Sequence, residues 1–283
     1  MKIAQLVQMA CMWEACAPKP GNVNRIHDFS DTSLDDFLLS AIAIGPAFEN
    51  AAELGVGQLI LQATQDTRKV ARSNTNLGMI LLLAPLVKAC VRKGAADVRQ
   101  RLSNVLNSLT VQDARLAYAA IRLAQPGGLG RVSKADVSEQ PSITLLEAMA
   151  LAEDRDSVAH EYVTVFSITF ETGMPALKEA RSRGTDFPTA VVQAFLAILS
   201  RVPDTLIARK KGLDAARHVS DRAGEVLSKG GVFTPEGRIA LAEFDCALRD
   251  PNHTLNPGAT ADLTAAAIFL CLLEDIRGQA LKT

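Results

Sequence analysis

The sequence predicts an all-α fold, a single globular domain over residues 1–283 built from about ten or more helices. Ala and Leu dominate an apolar share of 48%, and both residues lose little conformational freedom in a helix. Apolar side chains recur every three or four residues along most of the chain, which is the period of an amphipathic helix. No segment alternates apolar and polar residues as a half-buried strand would.

The first predicted helix covers residues 2–17 and ends where the sequence Pro-Lys-Pro follows. Proline lacks a backbone donor and disfavours helix in the residue before it. A loop is therefore predicted over residues 18–32. The second predicted helix starts at Ser33, where apolar residues resume helical spacing, and ends near Gly55.

The remaining helices are predicted from the same period and from the breaks between them. The clearest break is the sequence Gln-Pro-Gly-Gly-Leu-Gly-Arg-Val, which starts at Gln125. The predicted helices are 57–72, 78–90, 97–106, 110–124, a short helix from Ser142, a helix from Asp156 whose apolar period continues through Phe170, and 188–199, 205–210, 213–228, 235–248 and 259–278.

Charge and hydropathy narrow the classes of partner. The net charge of −1 provides no field that would gather nucleic acid or an anionic membrane. The longest apolar run, residues 78–87, is about half the roughly twenty residues that span a bilayer. A cytoplasmic protein is therefore expected, with a homodimer as one option for its assembly. The five scattered cysteines are expected to be reduced core residues.

A rigid loop follows the first predicted helix, with the sequence Pro18-Lys-Pro-Gly-Asn. Two prolines fix its backbone and Gly21 frees it, so Lys19 and Asn22 are held in a preorganised loop. Such a cation and amide suit a phosphate ligand, because ordered donors lose little entropy on binding. The alternative is a helix terminator with an exposed lysine.

A second polar segment, Asn74-Thr-Asn76-Leu-Gly, precedes an apolar helix. Backbone donors at a helix start, together with the two Asn side chains, suit an anionic or hydroxyl-rich ligand. The alternative is an ordinary N-cap with a spare Asn.

Two carboxylates, Asp154 and Glu161, are seven residues apart and would share a face if one helix includes both. Paired carboxylates can hold Mg²⁺ on a nucleoside triphosphate. The alternative is that the acidic residues near Asp154 cap the start of the helix.

Two further segments frame helices near the C-terminus. The segment from Asp204 places a carboxylate at a helix start and Arg209 and Lys210 at its end, where they suit phosphate oxygens or simply match the helix dipole. The segment Asn256-Pro-Gly-Ala-Thr-Ala-Asp262 introduces the last helix, with Asp262 expected in its first turn.

Familiar nucleotide-binding signatures are absent from the sequence. It has no glycine-rich phosphate loop ending in Lys-Ser or Lys-Thr, no dinucleotide fingerprint after a strand and no nucleophile elbow. The four histidines are too dispersed to predict a zinc site. Common kinase and dehydrogenase classes are therefore disfavoured.

Taken in order, the five segments resemble those of the triphosphoribosyl-dephospho-CoA synthase family over nearly the whole chain. The resemblance implies an all-α enzyme with ATP as substrate and Mg²⁺ as cofactor. ATP would lose adenine while its triphosphoribosyl group passes to the ribose 2′-hydroxyl of dephospho-CoA. That product is a precursor of the prosthetic group on acyl carriers of citrate lyase and malonate decarboxylase.

The segment at Asn74 departs from the pattern of family members in citrate lyase assembly, which carry Asn-Thr-His-Lys-Gly there. The chain is more similar to the branch found in archaea and in bacteria with methanopterin-linked one-carbon metabolism. A transferase for a different acceptor in that metabolism therefore stays an alternative. A non-catalytic ATP-binding helical protein is the other.

The expected chemistry is the cleavage of an N-glycosidic bond, which needs carboxylates near the sugar and a general base for the accepting hydroxyl. The helix ends are expected to converge in one pocket. The assigned roles are Mg²⁺ or base duty for Asp154, Glu161 and Asp262, phosphate binding for Lys19, Arg209 and Lys210, and ligand orientation for Gly21, Asn22, Asn74 and Asn76.

Overall fold

The computed structural model describes residues 2–91 and 97–280, and every regular element in these ranges is helical. The all-α prediction is therefore confirmed. The chain divides into two compact units, one formed by residues 1–11 and 36–167 and the other by residues 12–35 and 168–283. The two are called unit 1 and unit 2 below. That they form a single domain stays a prediction.

Unit 1 contains the following helices, the first of which continues into unit 2 and the second of which begins there: α1 (Ile3–Cys16), α2 (Leu34–Ala43), α3 (Gly45–Glu49), α4 (Val56–Val70), α5 (Leu77–Val91), α6 (Val98–Asn107), α7 (Val111–Ala124), α8 (Leu145–Ala150) and α9 (Ser157–Thr164). Helix α5 is almost entirely buried and forms the centre of the unit's apolar core.

Pro85 lies inside buried helix α5, where proline normally leaves a carbonyl one turn back without a donor. The hydroxyl of Tyr162 on α9 donates to that carbonyl, Leu81 O, at 2.7 Å. Complete burial raises the pKa of Tyr162 well above its usual range, so the hydroxyl keeps its proton. The hydrogen bond that the helix loses at Pro85 is thus replaced from a neighbouring helix.

Unit 2 contains a π-helical turn (Thr169–Gly173), α10 (Met174–Ser182), α11 (Phe187–Leu199), α12 (Thr205–Lys211), α13 (Leu213–Ser228), a 3₁₀ turn (Gly231–Phe233), α14 (Pro235–Leu248) and α15 (Gly258–Ala280). Its core lies where α11 packs against α13 and α15, and residues 265–271 of α15 are completely or almost completely buried. Among the described helices, none combines the length and the apolarity needed to cross a lipid bilayer.

Most predicted helices lie within a few residues of their observed bounds, and two predictions are wrong. The helix predicted from Ser33 to near Gly55 is two helices, α2 and α3. The helical phase expected to continue from Asp156 through Phe170 is interrupted after Thr164. Val165 and Phe166 have φ angles of 53° and 60°, a left-handed backbone that cannot continue an α-helix.

Candidate functional site

The loop after α1, residues 18–24, is called the proline loop here, and its lysine is completely buried. The Nζ of Lys19 lies 2.8 Å from Oε1 of Glu14 and donates to the carbonyls of Glu14 and Ala17 at the end of α1. Burial raises the pKa of Glu14, and the Lys19 charge opposes that shift. This burial contradicts the expectation that Lys19 is free to meet a phosphate.

Two asparagines of the proline loop bond to its own backbone. Asn22 Nδ2 donates to Pro20 O at 3.1 Å, and Asn24 Nδ2 donates to the carbonyl of Asn22 at 3.2 Å. Both side chains are buried. The loop is therefore braced internally, and the amide of Asn22 already has a partner within it.

Gly21 is the one position of the proline loop where no side chain fits. Its φ angle is +70°, and a Cβ there would lie 2.9 Å from Leu248 Cβ and 3.1 Å from Pro257 Cδ. Glycine is required because the backbone is left-handed and directly contacts these two residues. Gly21 thus brings the proline loop against the end of α14 and the start of α15.

Two residues at the end of α14, Asp245 and Arg249, hold the same loop and were not among the predicted site residues. Asp245 accepts a hydrogen bond from the backbone N–H of Gly21 at 2.8 Å, and Arg249 Nη2 donates to the carbonyl of Asn22 at 3.1 Å. Their i, i+4 spacing could have indicated an ion pair on one helix face. That spacing could not have indicated that the pair contacts a loop more than 220 residues earlier in the sequence.

Asp204 joins the start of α12 to the start of α15. Its Oδ1 accepts from the backbone N–H groups of Leu206 and Ile207, and its Oδ2 accepts from Thr260 N and Oγ1 at 2.7 and 2.8 Å. One buried carboxylate therefore caps α12 and bonds to the first turn of α15. Burial raises the pKa of Asp204, and these hydrogen bonds oppose the shift.

Two basic candidates, Arg209 and Lys210, lie in the last turn of α12. Lys210 Nζ donates to the carbonyl of His253 at 3.1 Å. Desolvation lowers the pKa of Lys210, while the carboxylates of Asp204, Asp250 and Asp31 act against that shift.

The loop between α14 and α15 also contacts the segment after the proline loop. The rings of Phe29 and His253 stack with centroids 3.8 Å apart, and the backbone N–H of Ser30 lies 3.3 Å from His253 Nε2. Three of the five predicted segments, those at Pro18, Asp204 and Asn256, therefore meet in unit 2. Asp262 is the fifth residue of α15, so it lies beyond the first turn in which it was expected.

The Asn74 segment lies in unit 1, and its side chains are used locally. Asn74 Oδ1 accepts from the N–H of Leu77 at 3.1 Å, as in an ordinary helix cap. Asn76 is buried and its Oδ1 accepts from the Thr67 hydroxyl at 3.2 Å. Its Nδ2 has no hydrogen-bond partner in the part of the chain that the structure describes.

The expected face shared by Asp154 and Glu161 does not form. Helix α9 begins at Ser157, and Asp156 caps it by accepting from the N–H groups of Val158 and Ala159. Asp154 lies in the preceding turn and is exposed, whereas Glu161 is completely buried. These two residues therefore do not fit a shared Mg²⁺ site, and no group of three or more His, Cys, Asp or Glu side chains suited to a metal occurs among the described residues.

The fold and these segments define a class of all-helical protein in which polar helix ends and loops, rather than a glycine-rich phosphate loop beside a sheet, form the candidate site. Within that class the chain has a family. It belongs to the family described as CitG: ATP:dephospho-CoA triphosphoribosyl transferase, whose model matches residues 1–280. The resemblance predicted from the five segments is confirmed.

Individual relatives agree with this assignment. Proteins named probable 2-(5''-triphosphoribosyl)-3'-dephosphocoenzyme-A synthase are 29% identical in Pseudomonas fluorescens strain Pf-5, over 96% of this chain and 91% of that protein, and 28% identical in Azotobacter vinelandii, over 98% and 93%. A crystal structure named for a candidate triphosphoribosyl-dephospho-CoA synthase of Archaeoglobus fulgidus is 31% identical, with a TM-score of 0.64 over 83% of this chain and 97% of that one.

Proposed function

We propose that this protein transfers the triphosphoribosyl group of ATP to the 2′-hydroxyl of 3′-dephospho-CoA and releases adenine. The observation that carries the proposal is the meeting of three family-like segments in unit 2, joined by Gly21, Asp204 and Lys210. The family match over residues 1–280 supports it.

The reaction breaks the bond between adenine N9 and ribose C1′ of ATP and forms a bond between C1′ and the accepting 2′-oxygen. The hydroxyl loses a proton and adenine gains one, so charge and protons balance. A group that holds the hydroxyl proton must therefore lie near the acceptor, and cationic groups must lie near the triphosphate.

In this proposal Arg209 and Lys210 bind the triphosphate, because both are basic residues at the end of α12 in the part of unit 2 where the segments meet. Asp262 accepts the hydroxyl proton from its position near the start of α15. The base or Mg²⁺ role first given to Asp154, an exposed carboxylate of unit 1, stays a prediction. The proline loop, with Gly21 and Asn22, supplies the wall beside Arg209, Lys210 and Asp262.

The roles first given to Asn74, Asn76 and Glu161 stay predictions. Asn74 caps α5, and the other two side chains are buried. Asn76 and Glu161 would therefore act by shaping unit 1 rather than from an exposed surface, whereas Asn74 is exposed.

The experiment is to incubate the pure protein with ATP and dephospho-CoA, measure free adenine by chromatography and identify the modified acceptor by mass spectrometry. We expect adenine in equal amount to an acceptor that has gained a triphosphoribosyl group. Adenine release that does not depend on dephospho-CoA would contradict the proposal, as would no release at all.

Matched variants test the assigned roles. Asp262→Asn should lower kcat by about 10²- to 10⁴-fold, the range for loss of a general base, whereas Asp275→Asn on the same helix should not. Lys210→Ala should raise the KM for ATP, and Lys211→Ala, the next residue, is its control. If the two variants of a pair had equal effects, the role assigned to Asp262 or to Lys210 would be wrong.

A further inference from the structure

We infer that Asp245 and Arg249 are positioning residues for the transfer: they fix the proline loop against α14 and so set where its residues meet the substrates. The inference rests on the function proposed above and adds two residues that touch no assigned catalytic group.

The two side chains form a bidentate ion pair that also bonds to the loop. Asp245 Oδ1 accepts from Arg249 Nη2 at 2.8 Å and from Gly21 N at 2.8 Å, and Asp245 Oδ2 accepts from Arg249 Nε at 3.0 Å. Arg249 Nη2 also donates to Asn22 O at 3.1 Å. The pair therefore holds a donor and an acceptor on two successive loop residues.

These contacts differ from the side-chain bonds within the loop and from the Lys19–Glu14 contact, which ties the loop only to the helix that precedes it. The amides of Asn22 and Asn24 bond to loop carbonyls, so they fix the shape of the loop without fixing where it lies. Asp245 belongs to α14 and Arg249 is the residue that directly follows it, so together they attach that shape to the end of a helix. Pro18 and Pro20 have no backbone N–H group. The N–H of Gly21 is therefore one of the few backbone donors through which another element can bind the loop.

The ion pair between Asp245 and Arg249 is also largely shielded from solvent. Both side chains are only 21% exposed, and a charge-assisted bidentate bond is shorter and stronger than a neutral one. His27 Nε2 lies 3.8 Å from Asp245 Oδ2. A change in either member of the pair would release Gly21 and Asn22 from α14 while the bonds within the loop and the Lys19–Glu14 contact remain.

The experiment compares Asp245→Asn and Arg249→Lys with Asp275→Asn. The control removes the ion pair between Arg181 and Asp275, whose two atoms are 2.7 Å apart in the same unit. We expect kcat/KM for ATP to fall about 10- to 100-fold in the first two variants, since a misplacement of about 1 Å can cost that much. The control should stay within about two-fold, because exposed ion pairs contribute little.

Two further readouts separate positioning from simple stability. Arg249→Ala should regain activity when millimolar guanidinium is added, and Asp275→Ala should gain nothing from it. Amide exchange at Gly21 and Asn22 should be faster in Asp245→Asn than in the wild type and unchanged in Asp275→Asn.

Asp245→Asn with wild-type kcat/KM would overturn the inference, and so would losses in kcat/KM that the control shares. A wild-type protein that releases no adenine would instead end the proposed function. In that case unchanged exchange at Gly21 and Asn22 in Asp245→Asn would overturn the inference separately.

Discussion

Lys19 is a buried residue whose Nζ contacts the carboxylate of Glu14 and two backbone carbonyls. Removing one member of a buried pair leaves the other as an uncompensated charge, which typically costs about 3–5 kcal/mol. We therefore expect Lys19→Met to lower the free energy of unfolding by about that amount. Urea unfolding monitored by circular dichroism measures it.

The matched variant for this test is the double change Lys19→Met with Glu14→Leu, which removes both charges. It should recover much of the lost stability, because replacing a whole buried pair with apolar residues is often nearly neutral. A Lys19→Met protein that is as stable as the wild type but does not bind ATP would restore the phosphate role that the buried position argues against.

For single residues, the sequence predicted which positions are important. It was less successful in predicting the role of each. The proline loop was found from its prolines and glycine, which act locally. The burial of Lys19 depends on the chain turning back so that its side chain meets Glu14, and the roles of Asp245 and Arg249 depend on a loop far away in sequence. No local pattern encodes either.

Helix α5 is an element whose proline depends on another helix. Tyr162→Phe should leave the carbonyl of Leu81 buried without its donor, at a cost of about 1–3 kcal/mol in the free energy of unfolding. In a Pro85→Ala background the same change should cost less, since residue 85 then supplies an N–H to that carbonyl. Equal costs in both backgrounds would show that the tyrosine acts through packing alone.

The segment between α7 and α8 is not helical, and the carboxylate of Asp136 holds its backbone in place. Asp136 accepts from the Ser138 hydroxyl and from the N–H groups of Val132 and Ser138. These bonds lower the pKa of Asp136 from 3.8 to about 2. Their contribution should be complete above about pH 4 and disappear as the pH falls towards 2, because the folded segment prefers the ionised carboxylate.

Amide exchange at Val132 and Ser138 measures this contribution. Asp136→Asn should raise both exchange rates at pH 6, and lowering the pH should change their protection less in the variant than in the wild type. Glu139→Gln in the same segment is the control. Exchange that does not differ between the wild type and Asp136→Asn would contradict the assigned role.

Helix periodicity predicted most elements because the apolar side chains that the core buries recur at 3.6 residues. One of the two exceptions, the interruption after Thr164, has a physical reason. The left-handed backbone of Val165 and Phe166 changes the chain direction without changing the spacing of apolar residues. The spacing of apolar residues in the sequence therefore stays helical beyond the residue at which the helix ends.

For the molecule as a whole, the burial pattern predicts where protection from exchange is greatest. We expect the slowest amides in α5 for unit 1 and in α15 for unit 2, because each of these helices has more buried residues than any other helix of its unit. Exchange followed by mass spectrometry with peptide resolution tests this. Faster exchange in α5 than in the amphipathic helix α6 would contradict it.

The fold class followed from composition and period, which are properties of the entire chain. The division into two units did not, since each is assembled from segments far apart in sequence. Such an arrangement depends on contacts between helices that no window of sequence contains. Convergence of all five segments in one pocket also depends on contacts between distant parts of the sequence, and it stays a prediction.

The bond between Gly21 and Asp245 spans 224 residues of sequence, and this distance has a consequence during synthesis. At about 5–20 residues per second, the ribosome adds Asp245 roughly 11–45 s after Gly21. Until then the loop has its internal bonds and the Lys19–Glu14 contact with α1, but no contact with α14. A nascent or truncated polypeptide that stops short of α14 would therefore carry this loop held on one side only, however completely its earlier helices had formed.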